Sequence, residues 1–436
     1  MNIFYIFYRA VTSVIFFLLL VPFLIFVLIT GKYRKHLGER FGFIPKARLR
    51  QLSGTPRIWL HAVSLGEIRV ANSIISSLKE MIPGCAVILS TNTEHGRDLA
   101  LNIFNDQVPI IYAPVDFFLS VRRALRQIKP DALIFLETEI WPSWIIEARR
   151  AGIRIALLNG RISKRSLKSY RRFKLFFKNI LSNVDMLSLI SEEDKKRVLL
   201  IGADPEKAVV NGNAKYDMLI RQTVPGMNEN IRRLFNIGLN IPVIVAGSTR
   251  TGEEKIIIRA FEKIVDSFPD VLLVIAPRHL ERIKDIVALL RERGLKYHLR
   301  SEFDPSGAGR QHNILVIDSY GELFNIYSSA NIAFCGASLV SLGGQNPFEP
   351  AAWGVPVFHG PYMDDFQDAV SLLKRYDASV EISGYEDFSE KAVFYLNNPE
   401  LLRQKGMSAK KVLMENRHAS LKHARVIADL INNQKQ

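Results

Sequence analysis

"RIWLHAVSLGE", residues 57–67, decides how the chain is to be read. Its first seven residues form a mostly apolar run of the kind that makes a buried strand. The run breaks at Ser64-Leu65-Gly66 and passes into Glu67, which opens a helical pattern. Ile68, Ala71, Ile75 and Leu78 then recur on one helix face. Working outward, the same unit repeats. Apolar runs at 85–93 (CAVILSTNT), 108–114 (VPIIYAP), 132–139 (ALIFLETE), 154–160 (RIALLNG) and 186–191 (MLSLIS) alternate with helical patterns. Continuous apolar strands between helices predict a parallel sheet covered on both faces.

The alternation lapses over 221–241 (RQTVPGMNENIRRLFNIGLNI) and restarts at 242. PVIVAGS, VLLVIAPRH, KYHLRSE, NILVIDS, NIAFCGAS, VPVFHGP and ASVEIS follow in order. Two doubly wound, Rossmann-like α/β domains are therefore expected, over 32–222 and 242–436, with 223–241 as a linker. A chain of 436 residues is too long for one ordinary core, which agrees. In such sheets ligands sit beyond the carboxyl ends of the strands, so residues just after each apolar run are the candidates for chemistry.

Residues 1–31 stand apart. No charge occurs between Arg9 and Lys32, a stretch of 22 residues, about the length that crosses a bilayer. A cleaved signal peptide has a shorter apolar core and a small-residue cleavage site, and a buried core helix is a third reading. The basic stretch "KYRKHLGER" (32–40) favours an anchor with the rest of the chain on the cytoplasmic side. The formal net charge of +15 suits an anionic membrane, a phosphorylated substrate or nucleic acid. The two cysteines, Cys85 and Cys335, lie in apolar runs and read as buried thiols; two such residues make no disulfide framework.

Glu67 has two readings. A carboxylate in a helix's first turn is stabilised by the macrodipole, so it is a good helix start. The same field keeps it ionised, which suits a general base for a hydroxyl, and Gly66 lets a substrate approach the backbone. "FLETEIWPSW" (135–144) carries Glu137 and Glu139 at i and i+2, on one face of an extended segment. Two such carboxylates bind a metal, share a proton, hold sugar hydroxyls or merely face solvent. No Asp-x-Asp or HExxH element supports a metal-dependent mechanism.

"GGQNPFEPAAWGVPVFHGP" (343–361) spells Asn346 at N-cap, Pro347 at N1 and Glu349 at N3, a capping-box arrangement, behind a Gly343-Gly344 turn. A glycine-rich turn feeding a helix start is an anion cradle. Arg278, in "APRHLER", offers a phosphate clamp. Residues 161–179 (RISKRSLKSYRRFKLFFKN) hold eight basic residues and no acid, interleaved with aromatics. They read as an interfacial segment, a nucleic-acid surface or a solvated helix face.

Taken together, "HAVSLGE", "ETEIWP", "NGRIS", "GNAKYD", "APRHLER", "GELFNIYSSANIAFCGAS" and the 343–361 stretch resemble the 3-deoxy-D-manno-octulosonic acid (Kdo) transferases of Gram-negative bacteria. The resemblance runs in order from the anchor to near the C-terminus. It implies a GT-B fold, a CMP-Kdo donor, a lipid A precursor as acceptor, inversion at the sugar, and no cofactor or metal. It implies an inner-membrane protein with its catalytic domains on the cytoplasmic side, an anionic lipid surface as partner, and no nucleic acid. Carried over by position, it makes Glu67 the base and Glu137 and Lys215 the transition-state stabilisers. Pro277, Arg278, Tyr320, Gly321, Glu322, Asn346, Pro347, Phe348 and Glu349 would hold CMP, and the C-terminal domain would bind the donor. Gln345, Tyr320 and Tyr362 depart from the family's commoner His, Met and His. A GT-B enzyme using a UDP-sugar is the alternative.

Overall fold

A computed structural model describes residues 3–31, 36–303 and 310–432, without the side chains of Ile3, Phe4, Lys164 and Arg165. The basic flank Lys32, Arg34 and Lys35 lies outside the described residues. The chain divides into two compact units, Met1–Met218 with Arg417–Gln436, and Leu219–Asn416.

The first unit holds a seven-stranded parallel sheet among the described residues. Its strands are β1 (Arg57–His61), β2 (Ala86–Thr91), β3 (Ile110–Tyr112), β4 (Ala132–Leu136), β5 (Arg154–Gly160), β6 (Met186–Leu189) and β7 (Ala208–Val210), in the spatial order 3-2-1-4-5-6-7. β1 is central, pairing with both β2 and β4. β1, β2 and β4 are almost entirely buried, so both faces must be covered. Trp59, Ile88 and Leu133 point to one apolar cluster, and Ile58, Leu60, Leu89 and Ile134 to the other. Period-two alternation thus feeds two cores from one strand. β7 escaped the reading of the sequence. Three residues at a sheet edge, flanked by Lys207 and Asn211, make no apolar run.

The second unit holds a second seven-stranded parallel sheet. Its strands are β8 (Val243–Thr249), β9 (Leu272–Pro277), β10 (His298–Leu299), β11 (Ile314–Val316), β12 (Ile332–Cys335), β13 (Val357–His359) and β14 (Ser379–Glu381), in the order 10-11-9-8-12-13-14. Each of these strands answers to an expected apolar run.

Two expected boundaries are corrected. Residues 223–241 are not a linker: the helix Met227–Leu234 presents Ile231, and Phe235 and Ile237 follow it into the second unit's core. The second domain does not extend to residue 436. The C-terminal helix Ala419–Asn432 packs Ala424, Ile427, Leu430 and Ile431 into the first unit's core, with Ile68, Ala71 and Ile75 of the helix Leu65–Met81. Burying an Ile or Leu side chain contributes roughly 1.5–3 kcal/mol, so Ile427, Leu430 and Ile431 fix where this helix belongs.

The apolar N-terminal helix runs Ile3–Thr30, about 42 Å at 1.5 Å per residue. It is the one helix among the described residues long and apolar enough to cross a membrane. Most of its large side chains are exposed, from Phe7 to Ile29. One face meets the first unit. The Tyr5 hydroxyl donates to Glu147 at 3.1 Å, the Tyr8 hydroxyl to Asp116 at 2.6 Å, and Phe16 stacks on Phe117 at 4.0 Å.

Candidate functional site

β1 delivers its chain end to the turn Ala62–Ser64, where Ser64 caps the helix Leu65–Met81. The Ser64 Oγ accepts from the Glu67 amide at 3.2 Å and donates to Glu67 Oε1 at 2.9 Å. The other carboxylate oxygen accepts from the Val63 amide at 2.7 Å. Glu67 is therefore a helix-start residue, as its position predicts. It is also only 6% exposed. Burial pushes its carboxyl up to about 7, against the Val63 and Ser64 hydrogen bonds, and the Glu137 and Glu139 charges push the same way. The sequence led us to expect the helix field to keep this group ionised; desolvation outweighs the field. A carboxylate poised near neutrality suits proton abstraction better than one ionised far below it.

β4 ends at Leu136, and Glu137 follows it with a left-handed φ of 54° and an amide that donates to Leu158 O at 3.0 Å. That turn points its carboxylate at Lys215, with Nζ to Oε1 at 2.6 Å. Lys215 lies in the first turn of the helix Ala214–Gln222. Its Nζ also lies 3.9 Å from where a Cβ on Gly66 would sit. The three residues expected to be catalytic, Glu67, Glu137 and Lys215, thus gather beyond the ends of β1, β4 and β7 although they lie far apart in sequence. Glu139 makes a different contact: its Oε2 accepts from Trp141 Nε1 at 2.5 Å, and burial, with the Glu137 charge, raises its pKa. The i and i+2 carboxylates feel each other's charge but bond to different partners, Glu137 to Lys215 and Glu139 to Trp141. Among the described residues no three His, Cys, Asp or Glu side chains gather as a metal site.

The sequence did not single out what holds Lys215. Asn159, at the end of β5 with φ 52°, accepts from the Ala214 amide at 2.9 Å. Asn213 Oδ1 accepts from the Lys215 amide at 3.0 Å. Asn159 and Asn213 stand within "NGRIS" and "GNAKYD", so the signal was present as asparagines at strand ends, which tolerate left-handed backbone.

In the second unit, Pro277 closes β9, and the exposed Arg278 donates its amide to Thr249 O at 3.1 Å. Tyr320 is 69% exposed, and Gly321 takes φ 87°. Glu322 is engaged by Arg300, whose Nε and Nη2 donate to its carboxylate through three atom pairs at 2.8–3.0 Å. The capping box expected at 346–349 does not form. Asn346 Oδ1 accepts from the Phe348 amide at 3.2 Å, Pro347 is the N-cap, and the helix Phe348–Ala352 has five residues. Gly343 and Gly344 have φ of 85° and 81°. A Cβ on Gly343 would come within 2.6 Å of Asp365 Oδ2, and one on Gly344 would overlap Met363 Sδ. Their left-handed backbone, with Asp365 and Met363 packed against it, already calls for glycine at both positions. A buried carboxylate organises the preceding loop: Glu253 accepts from the amides of Ala337, Ser338 and Leu339 at 2.7–2.9 Å.

The basic segment is two helices, Lys164–Arg172 and Lys174–Leu181, broken at Phe173. Phe173 and Leu175 are exposed, as are Arg171, Arg172 and Lys174. Together with Phe7, Tyr8 and Val11 of the N-terminal helix they line a largely apolar groove of about 820 Å³ with a cationic rim.

A family model described as 3-deoxy-D-manno-octulosonic-acid transferase (kdotransferase) matches residues 35–218. The 3-deoxy-D-manno-octulosonic acid transferase of Haemophilus influenzae is 31% identical over 389 residues, covering 89% of this chain and 90% of that protein. The crystal structure of a UDP-GlcNAc 2-epimerase from Neisseria meningitidis superposes with a TM-score of 0.61 at 15% identity, over 86% of this chain and all of that one. A glycosyltransferase from Rickettsia africae gives 0.58 at 15% identity, over 86% and 98%. Both share the GT-B class of fold, two Rossmann-like units in one chain.

Proposed function

Because this chain belongs to the Kdo transferase family of glycosyltransferases, we propose that it moves Kdo from CMP-Kdo to the tetraacyldisaccharide lipid A precursor, lipid IVA, with inversion and with Glu67 as general base. The observation that carries this reading is Glu67 itself, buried, with its carboxyl pushed up to about 7, beside a Glu137–Lys215 ion pair.

The acceptor hydroxyl gives its proton to the Glu67 carboxylate as its oxygen attacks the anomeric carbon of Kdo. The bond from that carbon to the CMP phosphate breaks on the opposite face, and CMP leaves with the electron pair. A single displacement of this kind inverts the centre. As the bond to CMP stretches, the Kdo centre gains positive character and the phosphate gains negative charge. Glu137 answers the first and Arg278 the second, because fixed charges cost no reorganisation at the moment of reaction. Lys215 holds Glu137 in place. CMP-Kdo is the donor substrate, and no cofactor enters this reading. Pro277, Tyr320, Gly321 and the 346–349 turn line the CMP subsite, with Glu322 acting there through Arg300.

The acceptor is a lipid, and the N-terminal helix and the cationic groove beside it suit a protein held at the inner membrane on its cytoplasmic side. The test is to incubate the purified enzyme with CMP-Kdo and lipid IVA and read product masses. A mass increase of one or more Kdo residues is expected. Transfer from a UDP-sugar instead, with none from CMP-Kdo, overturns the reading.

A further inference from the structure

The C-terminal helix Ala419–Asn432 does more than fill a core. It carries a histidine with no exposure, His423, to the segment that precedes Lys215. His423 Nε2 lies 3.0 Å from Gly212 O, and Nδ1 lies 2.8 Å from Ser188 Oγ. The Asn211 side-chain amide lies 2.7 Å from the same Ser188 Oγ.

In a neutral ring, hydrogen-bond valence fixes the direction of every bond. A carbonyl only accepts, so Nε2 carries the single ring hydrogen and Nδ1 is the acceptor. The Ser188 hydroxyl therefore donates to Nδ1, and its oxygen accepts from Asn211 Nδ2. The chain of bonds leaves the Asn211 side chain, passes through Ser188 and His423, and returns to the carbonyl of Gly212, the next residue along. This closed circuit clamps a turn whose Gly212 has φ 89°. It needs a neutral ring, and burial supplies one by pushing the imidazole down to about 4.

A second tie lies one turn earlier on the same helix. The Ser420 amide donates to Asp217 Oδ2 at 2.6 Å, and Ser420 Oγ lies 2.8 Å from Ser73 Oγ. Asp217 is two residues beyond Lys215, and Ser73 is on the helix that begins with the Glu67 turn. The C-terminal helix thus holds the segment bearing Lys215 on both sides and ties it to the helix bearing Glu67.

We propose that His423 is a positioning residue for transfer: through Ser188, Asn211 and Gly212 it sets the place of Lys215, and so of the Glu137 carboxylate paired with it. The proposal rests on the role given above to Lys215. The histidine touches no reacting atom and its contribution is geometric. Misplacing a charge by a fraction of an ångström in a preorganised site affects the reaction step more than substrate binding.

The test uses the full chain in detergent with CMP-Kdo and lipid IVA. His423→Phe keeps the bulk and removes both ring nitrogens. His423→Gln keeps a donor near the Nε2 position, and Ser188→Ala opens the circuit from the other side with little change in volume. Expected for His423→Phe is a fall in kcat of about tenfold or more with the CMP-Kdo KM unchanged. His423→Gln should recover much of that loss, and Ser188→Ala should reproduce part of it. In a Lys215→Ala background His423→Phe should cost nothing further, since it acts through the lysine. If His423→Phe does not fold, Ser188→Ala and His423→Gln carry the comparison, alone and with Lys215→Ala. Parent-like kcat in all three variants, or losses that multiply with that of Lys215→Ala, overturns the proposal while Lys215→Ala alone remains impaired. Parent-like kcat in Lys215→Ala overturns both this proposal and the reading of the site on which it rests.

Discussion

Lys215 Nζ stands 2.6 Å from the Glu137 carboxylate, joining a residue in the first turn of one helix to a residue beyond the end of β4, 78 positions earlier in the chain (215 − 137). The pair is only partly exposed, 32% and 12% at the two side chains, so each charge depends on the other for compensation. It places one carboxylate and one ammonium near Gly66, where the chain leaves room, and near Glu67, whose carboxyl the Glu137 charge helps push up.

Removing one member of this pair leaves the other charge uncompensated. We expect Lys215→Met to lower kcat by about two powers of ten, the scale for losing one electrostatic stabiliser. Glu137→Gln should do the same. The double variant should lose less than the product of the two, because the second change removes the charge that the first left stranded. Steady-state rates on the four proteins check this, and strictly multiplicative losses count against coupling.

Glu67 gives a dependence on pH whose sign follows from its role. The carboxylate is the base, so protonation below about 7 removes it. The rate should fall about tenfold per pH unit on the acid side of that value, and Glu67→Gln should lack this limb and lose at least about two powers of ten at pH 8. Stability runs in the opposite sense. The folded carboxyl titrates higher than the unfolded one, so the favourable contribution is complete below about 4.5 and is lost as pH rises toward 7 and beyond. Melting temperatures of parent and Glu67→Gln should therefore diverge with rising pH, the variant gaining. A constant difference from pH 5 to pH 8 would argue that Glu67 titrates normally.

Arg278 is exposed beyond β9 and available for an anion. Arg278→Ala should weaken CMP binding by about tenfold or more, since a charge-assisted hydrogen bond to phosphate is roughly twice as strong as a neutral one. The melting temperature should be unchanged. Calorimetric titration with CMP decides it; an unaltered affinity removes Arg278 from the donor subsite.

The corrected boundaries make a prediction about folding. A fragment of residues 219–416 should fold by itself. One that begins at 242 loses Ile231, Phe235 and Ile237 from its core, each contributing roughly 1.5–3 kcal/mol, and should unfold or aggregate. Circular dichroism and thermal melts of the two fragments test the assignment, and equal stability would return 223–241 to a linker.

Residues 1–31 and the two basic helices should hold the protein to membrane by different means. A chain lacking 1–31 should still fold, because Glu147 loses Tyr5 but keeps Arg122 and Arg150. It should sediment with acidic liposomes at low salt and not at high salt, as expected for surface charges screened within about 10 Å at 0.1 M salt. Replacing Arg171, Arg172 and Lys174 by Ser in that shortened chain should abolish sedimentation and leave CMP affinity intact. Retained binding by the triple variant places the membrane surface elsewhere.

The sequence by itself determined the two parallel sheets, the apolar N-terminal helix and the strand ends where function gathers. Period-two burial along RIWLH, and the switch to helical spacing at Ile68, Ala71, Ile75 and Leu78, are local properties that no distant residue overrides. Ser64 and Glu67 could be read as a helix start because capping is a contact between residues three apart. Tertiary structure alone decided the rest. The pKa of Glu67 follows from burial, which is set by surrounding layers and not by its own helix. Gly343 and Gly344 looked like room for a ligand until Asp365 and Met363 were found against them. The helix Ala419–Asn432 has an apolar face that fits either sheet's surroundings as a pattern. Only packing shows that Ile427 and Leu430 belong with Ile68 and Ile75, and only that packing brings His423 to Gly212. Apolar periodicity specifies that a face must be buried, while shape and hydrogen-bond complementarity between distant segments specify against what.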